Sequence, residues 1–369
     1  MRQRISAALI FLFCIASSMY AVESGKLQIH FMDVGQGDGA VLISPGGQVV
    51  LFDDGALKNC DKPVAYLQQL GIAKVDYHIA SHYHSDHIGC AKEVLGEFPV
   101  TKTAYDRGGS YRSSAFDRYT SVIGSHRQTA TPNTKIVLDS SSANPVEIDI
   151  VALNGNGIET INENDLSVVA VVHFGAFKAE IGGDLSGYKN TSYEDIETSV
   201  AKLVGPIQVY KVHHHCSRYS TNDAWLKTTK PQVAIVSVGD GNDYGHPTDE
   251  CLERLHQAGV KTYWTEKGNG AAPEPGSDVV AGTVVVEVGA GAADFVVRPQ
   301  SGAAATFPIA PGASPVPGTV NPELKYVWSK RSSVYHYANC RYAQTISPEN
   351  LVTGDAPPPG KTLHKDCPR

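Results

Sequence analysis

The segment Ser81-His82-Tyr83-His84-Ser85-Asp86-His87 constrains this chain more than any other. Three histidines and an aspartate stand within six positions, directly after the alternating stretch Val75–Ala80, which reads as a strand. In extended backbone, residues i and i+2 point the same way, so His82 and His84 face one point. Asp86 and His87 fall where the chain turns into a helix predicted from Ile88 toward Leu95, and there they face a second point beside the first. Imidazole and carboxylate in this density suit zinc, at ligand distances of about 2.0–2.2 Å. A solvated loop with chance histidines is the bland alternative, and the strand that delivers the loop argues against it.

The rest of the body supplies the layers that such a loop needs. Leu27–Phe31 alternates apolar and polar residues, Val41–Ile43 and Val49–Phe52 are short apolar runs, and glycine-rich turns separate them, as in successive strands. Pro63–Leu70 has Val64, Leu67 and Leu70 at helical spacing, with Gly71 as a stop. Val168–Val172 and Val233–Val238 read as further strands, and a helix is predicted after His246-Pro247, with Thr248 as cap and Asp249 and Glu250 in its first turn. Alternating strands and helices to about Arg298 predict an α/β layered domain. The stretch 300–322, rich in Ala, Pro and Gly and free of charge, reads as a semi-rigid linker. The expected organisation is therefore a leader at 1–21, a body at 25–299, the linker, and a small Cys/His-containing module at 323–369.

The leader reading rests on a basic start (Arg2, Arg4), the apolar run Ala7–Ala16 and the small residue Ala21, the pattern of a secretory signal peptide. It predicts a secreted or periplasmic protein with no stable membrane association after cleavage. Loss of Arg2 and Arg4 takes the net charge from −7 to −9, which argues against broad adhesion to nucleic acid without excluding a local basic channel. Six cysteines remain beyond the leader, and an even number in an exported chain fits disulfides.

Several motifs in order resemble one family. His82-x-His84-x-Asp86-His87 is similar to the signature loop of the metallo-β-lactamase superfamily. His30-Phe31-Met32-Asp33-Val34-Gly35-Gln36-Gly37-Asp38, Leu51-Phe52-Asp53-Asp54-Gly55, Gly182-Gly183-Asp184-Leu185-Ser186, His214-His215-Cys216-Ser217 and His246-Pro247 resemble its branch containing the hydrolase domain of the competence protein ComEC. The resemblance covers roughly Leu27 to Arg298 and implies an αββα sandwich holding two divalent metal ions, zinc before manganese. It implies His82 and His84 at the first ion and Asp86, His87 and one histidine of the 213–215 run, His214 and His215 foremost, at the second. Asp184 bridges the two. Better-known members carry a third first-site histidine in a Gly-His-Thr-like loop, where this chain has Ile161-Asn162-Glu163-Asn164-Asp165-Leu166-Ser167. The first site is thus ligand-poor, with water or His246 to fill it.

The nucleophile expected in such a site is a metal-bound hydroxide, with Asp86 orienting it as well as binding. His246 is the candidate for contacting a substrate oxygen or leaving group. Asp38 is placed to orient a ligand histidine from behind, and the glycines at 35, 37 and 39 to let backbone approach the metal loop. His30, His78, His126 and His173 are read as structural. Arg107, Arg112, Arg118 and Arg127, interleaved with Tyr105, Tyr111 and Tyr119, offer a polyanion groove, but neighbouring acids favour an insertion packed on the body.

The C-terminal segment resembles a short module that ends ComEC-like hydrolases, and also the metal-binding module of the Ada DNA-repair protein. Its charge is +3, which fits contact with DNA or another polyanion. His336, Cys340, His364 and Cys367 offer a zinc site, and a Cys340–Cys367 disulfide is the preferred alternative in an exported chain. Cys60–Cys90 is a second expected pair. The function expected is hydrolysis of a phosphodiester, DNA or a small diester. A β-lactamase or lactonase and a non-catalytic metal-containing binding protein are the alternatives, and oligomeric state is left open.

Overall fold

A computed structural model describes residues 22–309, 326–330, 332–337, 346, 350–354, 357–364 and 367. The chain divides into two compact units, Met1–Ser314 and Pro315–Arg369.

In the first unit, apolar alternation builds two sheets that face each other. The first has nine strands. Lys26–Phe31 lies near its centre, paired antiparallel with Val284–Gly289 and with Ala40–Ile43. Val49–Phe52, Val75–Ile79 and Val100–Asp106 then run parallel to one another. The second has eight strands, among which Phe177–Ile181, Val209–Lys211, Val233–Val236 and Lys261–Trp264 are parallel neighbours. One core lies between the sheets: Leu27, Ile29, Phe31, Val50 and Ile79 of the first pack with Ile148, Val172, Ala179, Val209 and Ile235 of the second. Residues of opposite pleat point outward and are covered by helices. Val41 and Leu51 meet Leu67, Val94 and Phe116, and Val171, Tyr210 and Ala234 meet Val200, Trp225 and Leu252. The result is the expected α/β layering, helices outside and sheets within.

Two details differ from the sequence reading. The helix expected from Ile88 to Leu95 is two: Ser85–Ile88 and Ala91–Glu97. Between them a Cβ on Gly89 would meet the Ser85 oxygen at 2.1 Å and the Leu57 nitrogen at 2.6 Å, and Cys90 is tied to Cys60 by a disulfide. The stretch 300–322 is not linker from its start. Ala305–Pro308 pairs antiparallel with Asp294–Pro299, Phe307 stacks on Phe295 at 5.3 Å, and Ile309 is buried. A proline-bearing strand is tolerated there because it is the last of its sheet.

Parallel strands aim their C-terminal ends the same way, and the candidate residues follow those ends. Asp53 follows Val49–Phe52, the loop 82–87 follows Val75–Ile79, and Asp184 follows Phe177–Ile181. The histidine run follows Val209–Lys211, and His246 comes after Val233–Val236.

The second unit is a four-stranded sheet of Tyr326–Ser329, Val334–Tyr337, Leu351–Gly354 and Thr362–Leu363. His336, His364 and Cys367 come together there, but Cys367 is disulfide-bonded, so its sulfur is not a thiolate ligand. Cys340 lies outside the described residues, as do residues 1–21 of the expected leader. Among the described residues, no helix is long and apolar enough to cross a membrane.

Candidate metal centre

Two donor groups form at one edge of the paired sheets. The first contains His82, His84 and Asp184, the second Asp86, His87, Asp184 and His215, and the donor atoms within each lie within 4.8 Å of one another. Asp184 is common to both. Its Oδ2 is 3.9 Å from His82 Nε2, 3.3 Å from His87 Nε2, 3.6 Å from His215 Nε2 and 4.0 Å from His214 Nε2. His82 Nε2 and His84 Nδ1 are 3.0 Å apart, and His215 Nε2 is 3.3 Å from Asp86 Oδ2. Two donors on a tetrahedral ion at about 2.0–2.1 Å stand about 3.3 Å apart, so these separations fit shared ions. His87 Nε2, His215 Nε2 and Asp184 Oδ1 are buried and have no hydrogen-bond partner among the described residues. Buried polar atoms are ordinarily satisfied, and a cation satisfies all three at once.

The site is held from behind. His87 Nδ1 lies 2.8 Å from Asp53 Oδ2, and the same carboxylate takes the Ser81 N–H and hydroxyl. His215 Nδ1 donates to the Ser237 carbonyl at 2.8 Å. Asp38 lies 3.6 Å from His87 Nδ1 and 3.4 Å from His215 Nδ1, and the buried Lys211 ammonium pairs with it. These contacts fix each ring so that Nε2 points inward. The glycine loop does what its sequence suggested: Asp38 N donates to the Asp86 oxygen at 3.1 Å, and a Cβ on Gly37 would meet that oxygen at 2.2 Å.

Charge is uneven across the centre. Burial opposes ionisation of Asp184, yet His87, His215 and His214 outweigh it and hold the carboxyl well below its usual range. Burial likewise opposes a charge on His215, but Asp184 and Asp38 push it up to about 10. His87 stands well above its ordinary value for the same reason. The Asp86 end of the site thus draws positive charge, met by protons or by a cation that displaces them. Burial instead depresses His82 well below the ordinary value and takes His214 down to about 4.

The three successive histidines separate cleanly. His213 is turned away, with Nδ1 2.8 Å from Glu197 and Nε2 3.1 Å from Glu180. His215 joins the second donor group. His214 sits beside it, with Nε2 3.3 Å from Asn164 Nδ2 and its ring 5.5 Å from that of His246. His246 is buried at this edge and joins neither donor group; burial takes it down to about 3.

Residues set aside as structural have other partners. His78 pairs with Asp54 at 3.1 Å, His30 with Tyr66 at 2.7 Å, His173 with Asp149 at 3.4 Å, and His126 with the Lys102 carbonyl at 2.9 Å. Arg107 is paired with Glu163, Arg118 with Glu93 and Arg127 with Asp106, while Tyr119 is buried; those cations brace the body rather than line a groove. The sequence reading gave no role to Asp53, Ser81, Asn164 or Lys211. The Asp53-Asp54 pair at a strand end was the available signal for the first.

The sequence profile described as the Metallo-beta-lactamase superfamily matches residues 34–240. Recombination protein 2 of Haemophilus influenzae is 28% identical over 259 residues, covering 67% of this chain and 29% of its own length. ComE operon protein 3 of Bacillus subtilis is 23% identical over 272 residues, covering 68% of this chain and 33% of its own. The chain thus spans about a third or less of these curated relatives. The crystal structure of the metallo-beta-lactamase fold protein YhfI from Bacillus subtilis aligns with a TM-score of 0.42 and 13% identity, over 71% of this chain and 100% of that one.

Proposed function

The chain belongs to the metallo-β-lactamase superfamily, and from that premise we propose that it is an exported phosphodiester hydrolase with two divalent cations, zinc before manganese, at the strand ends. The observation that carries the two-cation reading is the Asp184 carboxylate, common to two donor groups and within 4.0 Å of four imidazoles. His82 and His84 would hold the first cation, and Asp86, His87 and His215 the second. Cations so held supply an acidified water and a clamp for the oxygens of a displacement.

The chain's own groups do the rest. Asp53 and the Ser237 carbonyl keep the protons of His87 and His215 on Nδ1, so that both Nε2 lone pairs face inward. Asp86 reaches the site from the first turn of its helix and orients the attacking water. His246, neutral at pH 7 because burial depresses it, donates a ring N–H to a substrate oxygen. Phosphodiesters are favoured over lactams because one relative is named for recombination, a process that acts on DNA. Export is supported by the leader-like start and by the disulfides Cys60–Cys90 and Cys216–Cys251, which persist in oxidising compartments.

The test is hydrolysis by zinc- or manganese-loaded mature protein of plasmid DNA, bis-p-nitrophenyl phosphate and nitrocefin in parallel. Both phosphodiesters should be cleaved and nitrocefin left intact. Asp184→Asn should lower turnover by about two orders of magnitude, the scale of losing a principal electrostatic element. Full activity in metal-free protein, or cleavage of nitrocefin alone, overturns the reading.

A further inference from the structure

Tyrosines stand on the histidines at the edge of the metal centre. Tyr244 stacks on His246, with ring centroids 5.7 Å apart and planes 22° from parallel. Tyr193 meets His214 edge-on at 5.8 Å, and Tyr219 lies 5.2 Å from Tyr193. His214 and His246 are themselves neighbours at 5.5 Å, so the two aromatic groups rise from adjoining rings. Tyr244 is 67% exposed and Tyr219 37%.

Tyr244 is displayed, not loose. The Asn242 side-chain oxygen accepts from the N–H groups of both Tyr244 and His246, at 3.2 and 3.0 Å. Its amide donates to the carbonyls of Gly239 and His246, and the Asn269 amide donates to the Asn242 carbonyl. One buried asparagine thus locks the loop that carries the platform and the histidine beneath it. A large aromatic ring kept in water on a fixed loop beside a reactive centre is preorganised to stack on something flat.

Resting on the phosphodiester reading above, we propose that Tyr244 is a stacking platform for a nucleobase beside the scissile phosphodiester. The Tyr193–Tyr219 pair forms a second platform, and the substrate is nucleic acid with unstacked bases, a single strand. A base inside a duplex has both faces covered by its neighbours, whereas an unstacked base offers one to an aromatic ring, with little regard for sequence. A quaternary ammonium fits these rings less well. It is held by several rings closing round a compact cation, but Tyr193 and Tyr219 are packed against each other and Tyr244 presents a single open face.

The experiment uses the full-length, zinc-loaded protein on a short single-stranded oligonucleotide, on the same backbone carrying abasic sugars, and on the duplex. Wild type should prefer the base-bearing strand over the abasic one by about tenfold or more in kcat/KM, through KM, as one stacked base contributes. The duplex should be the slower substrate. Tyr244→Ala should cut the preference several-fold, leaving what the Tyr193–Tyr219 platform contributes, and Tyr244→Phe should restore it, because the ring and not the hydroxyl stacks. Equal cleavage of both strands by wild type, or an undiminished preference in Tyr244→Ala, overturns the platform and leaves the phosphodiester reading standing. Failure to cleave any phosphodiester overturns both. Faster turnover of p-nitrophenyl phosphorylcholine than of the oligonucleotide assigns the rings to a cation and overturns the proposal.

Discussion

The loop after Val75–Ile79 and the turn after Val209–Lys211 bring histidines to the same carboxylate by opposite means. The first uses ordinary backbone: His84 is extended (φ −68°, ψ 151°), and Asp86 and His87 occupy a short helix. The second places His214, His215 and Cys216 in succession at φ 49°, 51° and 62°, the left-handed region that costs non-glycine residues roughly 1–2 kcal/mol each. Such a turn must be held from outside. Cys216 is bonded to Cys251, its carbonyl accepts from the Thr248 N–H and hydroxyl, and His213 is clamped between Glu180 and Glu197. Local spacing sets the donors of the first loop, and tertiary contacts set those of the second.

This contrast can be broken by mutation. His215→Ala should lower turnover by about two to three orders of magnitude, and His84→Ala by about one to two, given the scale of losing an electrostatic element. Only His84→Ala should recover in excess zinc, since its donor group is the poorer and His84 is half-buried where His215 is buried. The reverse ranking, read from steady-state rates at several zinc concentrations, removes the distinction between the two loops. Asp53→Asn should weaken metal binding by about 10- to 100-fold, as expected when a histidine ligand loses its supporting carboxylate; competition against a chromophoric chelator measures it.

The disulfides sharpen the same point. They close loops of similar length, with sequence separations of 30 and 35, so removing either should cost roughly 3–4 kcal/mol in urea unfolding. Loss of Cys216–Cys251 should also weaken metal binding, because only that one braces a strained turn. Equal metal affinity in both disulfide-free variants counts against the role given to the turn.

The smallest effect is expected at His78, in the strand beneath the first loop. Burial opposes its charge, but Asp54 outweighs burial and raises its pKa above the ordinary value. A raised value stabilises the fold fully below about pH 6.5 and less as pH rises through the folded-state value. His78→Gln should therefore cost roughly 1–3 kcal/mol at about pH 6, less at about pH 9, and change turnover only a few-fold. Thermal melts at both pH values check the sign, and a larger cost at high pH contradicts it.

How much was legible follows the same division. That His82, His84, Asp86 and His87 gather their donor atoms at one edge could be read because their spacing carries the geometry. The glycine loop could be read too, since close backbone approach demands residues without side chains. Spacing says nothing about which of three adjacent histidines faces inward; Glu180 and Glu197, 33 and 16 positions away, decide it by capturing His213. The break at Gly89 depends on Leu57, and the strand inside the presumed linker depends on Phe295, both contacts that no local pattern contains. Thr248 stands at the N-cap position as expected but its side chain makes no capping bond; its hydroxyl serves the distant Cys216 carbonyl.

The central claim is that one carboxylate joins two cations. Anomalous scattering at the zinc edge from crystals of the zinc-loaded protein tests it most directly. Two peaks about 3.5–4 Å apart should flank Asp184, one against His82 and His84 and the other against Asp86, His87 and His215. A single peak, or two peaks with Asp184 bound to only one of them, contradicts the account.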